Sequence, residues 1–124
     1  MIERLIRGFY ARVRSDPLIG PVFAARIDDW EPHLARMFAF WSSVSLKTRR
    51  YSGQPLAKHL SLPIEGAHFD RWLLLFAQTA RELCPAQAAD RFVELAQQIG
   101  RSLEMGIASN RGILLGKDER LGAR

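Results

Sequence analysis

The histidine at position 59 is the first candidate for metal chemistry in this chain. It is one of three histidines and lies in the segment Gly53-Gln54-Pro55-Leu56-Ala57-Lys58-His59-Leu60-Ser61-Leu62-Pro63. The two prolines of that segment prevent a long helix, so the backbone around the imidazole is short and stiff. A neutral imidazole is a common metal ligand and binds best when a second hydrogen bond fixes its ring. We therefore expect His59 to bind a metal.

Aromatic residues along the chain indicate which metal centre this is. They include Phe9, Tyr10, Phe23, Phe40, Trp41, Tyr51, Phe69 and Trp72. Aromatic side chains in this number suit a flat apolar macrocycle, and the iron of a haem needs an axial protein ligand such as histidine.

His33 lies on the apolar stripe of a predicted helix. On a helical wheel, the inward residues of this helix fall within one arc about 100° wide. They are Trp30, His33, Met37, Phe40, Trp41 and Val44. An inward histidine is more often a core residue with a satisfied hydrogen bond than a functional one. Arg36 changes this balance, because it flanks the stripe and suits a pairing with the carboxylates of a haem.

Two further polar groups are expected inside the protein. Tyr10 faces the same way as Ile6 and Val13, so its buried hydroxyl needs a partner. Trp72 lies on one face of a later helix with His68, for which simple core packing is the alternative. Buried donors that converge with an inward histidine are costly unless something polar is bound there, and dioxygen on ferrous iron is such a species. His68 is the internal rival of His59 for iron.

Composition limits the other classes of function. The formal net charge is +5, but the arginines are scattered and interleaved with acidic residues, so we expect neither nucleic acid nor a membrane as partner. A single cysteine, Cys84, allows no intramolecular disulfide and no Cys-x-x-Cys motif, which fits a reducing cytoplasm. Because Cys84 follows a helix and precedes a proline, a buried or capping thiol is expected rather than a nucleophile. Motifs of serine hydrolases, zinc proteases and phosphate loops are absent.

The periodicity of apolar residues predicts an all-α fold. Helices are expected over residues 2–15, over 28–46 with a capping box of Asp28 and Glu31, and over 65–83. Gly20-Pro21 is expected to be a turn. A fourth helix begins at Pro85 and frays after Ile107. We predict one domain over residues 1–108 and a flexible basic tail over 109–124.

Several spaced motifs resemble the truncated haemoglobins of group III. The first is Phe9-Tyr10-x-x-Val13-Arg14-x-Asp16-Pro17-Leu18-x-Gly20-Pro21-Val22-Phe23. The others, in order, are Trp30-x-x-His33, Phe40-Trp41-Ser42-Ser43, Tyr51-x-Gly53-x-Pro55, His59 with Leu62-Pro63, and His68-Phe69-x-Arg71-Trp72-Leu73. The likeness covers about residues 1 to 108. It departs from the family at the start, where the first helix begins almost at Met1 and any leading helix is absent.

The resemblance implies a truncated globin, a two-over-two helical sandwich around haem b. By motif position, His59 is the proximal iron ligand, and Tyr10, His33 and Trp72 are the distal residues that meet a bound ligand. His33 is also a candidate gate, and Arg36 reaches a propionate. The residues expected to line the haem are Phe9, Phe23, Met37, Phe40, Trp41, Tyr51, Ile64, Phe69 and Phe76.

The function expected from this resemblance is binding of dioxygen or nitric oxide at a five-coordinate iron. Donors such as Tyr10 and Trp72 slow the release of oxygen, which suits redox chemistry better than transport. Oxidation of nitric oxide to nitrate and a peroxidase-like cycle both remain open, and each needs a separate reductase because the chain has no dinucleotide motif. The competing class is a non-catalytic helical module without haem, either a sensor or a basic interaction protein that uses Arg49, Arg50 and the tail.

Overall fold

The computed structural model describes residues 2–46, 64–113, 115–116 and 119–122. Within these ranges the chain is all-helical and contains no strand, which confirms the predicted fold class. The helices are α1 (Ile2–Ser15), α2 (Gly20–Ala24), α3 (Trp30–Leu46), α4 (Gly66–Leu83) and α5 (Ala86–Asn110). His59 and Tyr51 lie outside the described residues.

The end of α1 is fixed by Asp16, as its Asp-Pro sequence predicts. Its Oδ2 accepts the backbone N–H groups of Leu18 and Ile19, both at 3.0 Å. Its Oδ1 accepts Arg71 Nε from α4 at 2.6 Å. Burial alone raises the pKa of this carboxyl, but the Ile19 amide, the Arg71 guanidinium and the Leu18 amide together hold it below its usual value. Asp16 therefore ties the first turn of the fold to α4.

The predicted turn at Gly20-Pro21 is the start of α2, which the sequence analysis missed. Pro21 stands in the first turn of this helix, where its missing N–H is tolerated. Gly20 lets α2 approach α1, because a Cβ at this position would lie 2.9 Å from the carbonyl oxygen of Val13. A five-residue helix is too short to show an apolar period. Only the glycine and the proline therefore gave a structural signal in the sequence, and that signal is typical of a turn.

The start of α3 differs from the predicted capping box. The helix begins at Trp30, and Asp29 rather than Asp28 accepts a first-turn amide, the N–H of Glu31, at 3.3 Å. The Glu31 side chain does not return to the cap. It accepts both terminal nitrogens of Arg7 in α1 at 3.1 Å, and this exposed pair joins α1 to α3.

The helices form two pairs that meet through α1. One pair is α1 with α3, the other is α4 with α5, and α1 also packs against α4. Leu5, Phe9, Phe76, Ala80 and Ala96 are fully or almost fully buried where these helices meet. Among the described residues, no helix is both long and apolar enough to cross a membrane.

The single cysteine belongs to this core. Cys84 follows α4 and is buried, as predicted, and burial raises the pKa of its thiol. A thiol that resists ionisation is a poor nucleophile.

The chain beyond α5 contacts the helical body. The helix α5 continues to Asn110, past the predicted fraying at Ile107. Leu121 is only 3% exposed and packs with Ile64 and Phe69. The domain boundary at residue 108 and the flexibility of the tail stay predictions.

Candidate functional site

A cavity of about 350 Å³ lies between the two helical pairs. This is within the range of small-molecule and cofactor sites, roughly 300–1,000 Å³. The part of its wall formed by described residues is mostly apolar and aromatic, with two histidines and two arginines. The lining residues are Tyr10, Ile19, Val22, Phe23, Arg26, Ile27, His33, Arg36, Met37, Phe40, Trp41, Ile64, His68, Phe69, Trp72, Ile99 and Leu103.

Tyr10 lies on the inner face of α1, where the apolar spacing of the helix predicts it. The residue is 5% exposed, and its ring is enclosed edge-on by Phe9, Phe23 and His33, with centroid distances of 4.8, 5.8 and 5.1 Å. Burial raises the pKa of Tyr10 well above its usual value. The hydroxyl therefore keeps its proton throughout the physiological range and is available as a donor at the cavity.

His33 lies one turn into α3 and is partly buried at the same cavity. Its ring stands edge-on to Tyr10 at 5.1 Å and to Trp30 at 5.7 Å. The guanidinium carbon of Arg14 lies over the Trp30 ring, 4.8 Å from the ring centroid. The inward position predicted from the helical wheel is confirmed, and it places an imidazole beside the Tyr10 ring.

Trp72 reaches the cavity from α4 and is held between α1 and α5. Phe9 of α1 meets its ring edge-on at 6.0 Å, and Phe76 stacks on it at 5.8 Å. Gly100 of α5 lies on the other side of the ring, where a Cβ would lie 3.6 Å from the indole, at an ordinary contact distance. The indole is thus positioned by contacts from three helices.

Most of the residues expected to line a haem do line this cavity. Phe23, Met37, Phe40, Trp41, Ile64 and Phe69 are on its wall, together with the exposed Arg36. Phe9 and Phe76 are not on the wall. They are 1% and 0% exposed and lie one layer behind it, where they support Tyr10, Trp41 and Trp72.

His68, the rival of His59 for iron, also lines the cavity but has a second contact. Its Nδ1 accepts the backbone N–H of Glu65 at 3.0 Å, which closes the start of α4. A neutral imidazole that accepts at Nδ1 carries its proton on Nε2. That nitrogen then has no lone pair for a metal. The local fold therefore gives His68 a helix-capping contact and leaves a donor, not a ligand, on its other side.

The sequence analysis missed several lining residues. Ile19, Val22, Arg26 and Ile27 come from α2 and its flanking turns, which were not recognised as an element. Ile99 and Leu103 lie on the last helix, where an apolar period does not distinguish a cavity wall from a packed core. Arg26 is a second exposed cation at the cavity, beside the predicted Arg36.

The residues at this cavity fit a haem. The apolar and aromatic wall suits the macrocycle, and the two exposed arginines suit its two carboxylates. Tyr10 and Trp72 bring neutral donors to an otherwise apolar space, an arrangement that suits a small ligand with developing negative charge. The described part of the wall thus carries the residues predicted for the distal side of a haem, whereas the predicted proximal ligand His59 lies outside the described residues.

The chain is similar to known globins in sequence and in fold. The sequence profile of the bacterial-like globin family matches residues 1–102. A group 3 truncated haemoglobin of Campylobacter jejuni is 34% identical over 103 residues, which cover 79% of this chain and 81% of that protein. The crystal structure of a group III truncated haemoglobin from Campylobacter jejuni superposes with a TM-score of 0.77 at 33% identity. That match covers 82% of this chain and 84% of the crystallised one.

Proposed function

Because the chain belongs to the bacterial-like globin family, we propose that it binds haem b in the described cavity and takes up a diatomic ligand there. The observation that carries this proposal is the convergence of Tyr10, His33 and Trp72, from three helices, on one apolar cavity. Haem supplies the iron centre that takes up dioxygen or nitric oxide. The residues of the chain supply the binding site for the haem and the polar contacts around its ligand.

The proposed proximal ligand is His59, carried over from the family resemblance. The hydrogen bond between His68 and Glu65 supports this assignment. It uses the lone pair of His68 Nδ1, so no second lone pair of this imidazole is left to bind iron. Alanine at each position separates the two histidines. We expect His59→Ala to abolish the iron–histidine stretching mode in the resonance Raman spectrum of the ferrous protein, and His68→Ala to retain it. The opposite pattern would reassign the ligand.

The proposed distal donors are the Tyr10 hydroxyl and the Trp72 indole. The ordinary pKa of tyrosine already lies well above neutral pH and burial raises that of Tyr10 further, so the hydroxyl keeps its proton and can donate. His33 stands against the Tyr10 ring and is placed to admit or block small ligands. Arg36 and Arg26, both exposed, are proposed to hold the carboxylates of the haem at the mouth of the cavity.

Hydrogen-bond donors of this kind slow the release of bound oxygen. We therefore propose that the protein carries out redox chemistry, and the reaction that we propose first is the oxidation of nitric oxide to nitrate. Phe23, Met37, Phe40 and Phe69 give the ligand site an apolar wall. Electrons come from a separate reductase in the cytoplasm, because the chain has no dinucleotide motif.

Stopped-flow mixing tests this reaction directly. The oxygenated ferrous protein, mixed with nitric oxide, is expected to form the ferric protein and one nitrate per haem within milliseconds. Slow conversion without nitrate would remove nitric oxide oxidation, and turnover of hydrogen peroxide with an organic reductant would then favour the peroxidase-like cycle. A protein that gains no Soret band when haem is supplied would overturn the haem proposal itself and favour the haem-free helical module.

A further inference from the structure

Residues 119–122, called here the docked segment, are held against the start of α4. The backbone N–H of Gly66 donates to the carbonyl of Leu121 at 2.7 Å. The carbonyl of Gly66 accepts Arg120 Nη2 at 3.0 Å. Both polar groups of one residue in the first turn of α4 are therefore bound by the docked segment.

A buried carboxylate fastens the docked segment to α5 as well. Glu104 is 2% exposed, and its two oxygens accept Arg120 Nε at 3.1 and 3.0 Å. Its Oε2 also accepts the backbone N–H of Leu121 at 2.8 Å. Arg120 reaches Asp70 of α4 at 2.8 Å, and its hydrogen bonds to Asp70 and Glu104 raise its pKa. A buried carboxylate is costly without such partners, so Glu104 favours the bound position of Arg120.

Further contacts show that the docked segment fits its place. Arg101 of α5 donates to the carbonyls of Glu119 and Gly116, at 2.9 and 2.7 Å. A side chain at Gly66 would be tightly packed, because its Cβ would lie 3.2 Å from Arg120, Glu104 and Leu121 and these groups would have to move slightly. Gly122 has a φ of +81°, which favours glycine, and a side chain there would collide with Glu65.

The docked segment lies behind one wall of the cavity. Leu121 is 3% exposed and packs in a cluster with Ile64 and Phe69. Both of these residues line the cavity. Ile64 is also the first described residue after the segment that carries His59. A displacement of Leu121 would free the two side chains that it supports.

We infer that Arg120 and Leu121 are positioning residues for the haem site: they clamp the start of α4 and thereby set Ile64 and Phe69 against the haem. This rests on the haem function proposed above. Arg120 and Leu121 lie beyond residue 102, where the match to the globin-family model ends. The clamp is expected to affect the rate at which haem is lost. It does not contact the proposed distal donors.

The experiment compares haem loss in three variants. Arg120→Ala removes the clamp's ion pairs, and Leu121→Ala removes its apolar support while keeping every ion pair. Arg81→Ala is the matched control, because Arg81 forms an exposed ion pair with Asp90 between the same two helices, away from the cavity. We expect the first two to transfer haem to excess apomyoglobin about tenfold faster than the wild type, within the usual range of coupling between sites. The control is expected to match the wild type.

A second measurement separates positioning from general stability. In the ferric cyanide form, the hyperfine-shifted haem methyl resonances should move in Arg120→Ala and Leu121→Ala and stay in place in Arg81→Ala. If Arg120→Ala does not fold with Glu104 left buried, Leu121→Ala carries the test. Unchanged haem loss and unchanged methyl resonances in folded variants would overturn the clamp alone. A wild type without bound haem would overturn the proposed function, a failure that its visible spectrum reports before any variant is made.

Discussion

Replacing Tyr10 by phenylalanine is expected to accelerate the release of dioxygen without moving the ring. Four aromatic rings, those of Phe9, Phe23, Trp30 and His33, surround Tyr10 at centroid distances of 4.8 to 5.9 Å, and its exposed fraction is 5%. Phenylalanine keeps all of these contacts, so the variant loses the hydroxyl and little else. The change thereby isolates one donor at the cavity.

The size of the effect follows from the burial of this hydroxyl. A hydrogen bond to a charged or strongly polarised partner contributes about 1.5–3 kcal/mol. Since about 1.4 kcal/mol corresponds to a factor of ten, the dissociation rate should rise by roughly ten- to a hundredfold. The association rate should change far less, because the cavity keeps its shape.

The assay is replacement of bound oxygen by carbon monoxide in a stopped-flow instrument, followed in the Soret region. Met37→Leu is a suitable control, because Met37 lines the same cavity and offers no hydrogen-bond donor. We expect its oxygen dissociation rate to stay close to that of the wild type. An unchanged rate in Tyr10→Phe, or equal acceleration in both variants, would remove Tyr10 from the set of ligand donors.

Three further predictions concern the frame of the site. Gly100→Ala should stabilise the fold by about 0.5–1 kcal/mol in urea unfolding, because Ala favours the helix and its Cβ makes only an ordinary contact with Trp72. Gly100→Leu should instead displace the indole and shift its fluorescence, and a destabilised alanine variant would contradict this reasoning. Asp16→Asn should cost about 2 kcal/mol at neutral pH. The native pKa of Asp16 is lowered, so its contribution is present above the unfolded-state pKa and is lost as pH falls through the native one. The variant should therefore lose less stability than the wild type on acidification, and equal losses would contradict it. Cys84 should react with a thiol reagent only after unfolding, and rapid labelling of the native protein would contradict its burial.

The sequence predicted that Tyr10, His33 and Trp72 face a common space, because each of them lies on an apolar stripe. A polar or aromatic donor on the buried face of a long helix points into the interior wherever the neighbouring helix packs. For this reason Tyr10, His33 and Trp72 meet at one cavity as expected. Helix ends were predicted to within two or three residues by Asp16, by Cys84-Pro85 and by the period itself.

Other features depend on packing between elements and had no signal in the chain. Phe9 and Phe76 share the buried faces of their helices with Tyr10 and Trp72, and periodicity cannot tell a wall residue from the layer behind it. The docked segment shows no periodic pattern in the sequence, because its position depends on a contact with Glu104, which precedes Arg120 by 16 residues. The assignment of His59 comes from the motif resemblance, and its position lies outside the described residues.

The central claim is that one haem occupies the described cavity, and the tryptophans report on it. The chain has three tryptophans. Trp41 and Trp72 line the cavity, and Trp30 contacts Tyr10 and His33 at its edge. Titrating the haem-free protein with haem should quench most of the tryptophan emission, with a break at one haem per chain and a Soret band that grows in parallel. Emission that declines without a break at that ratio, or quenching without the Soret band, would contradict the account.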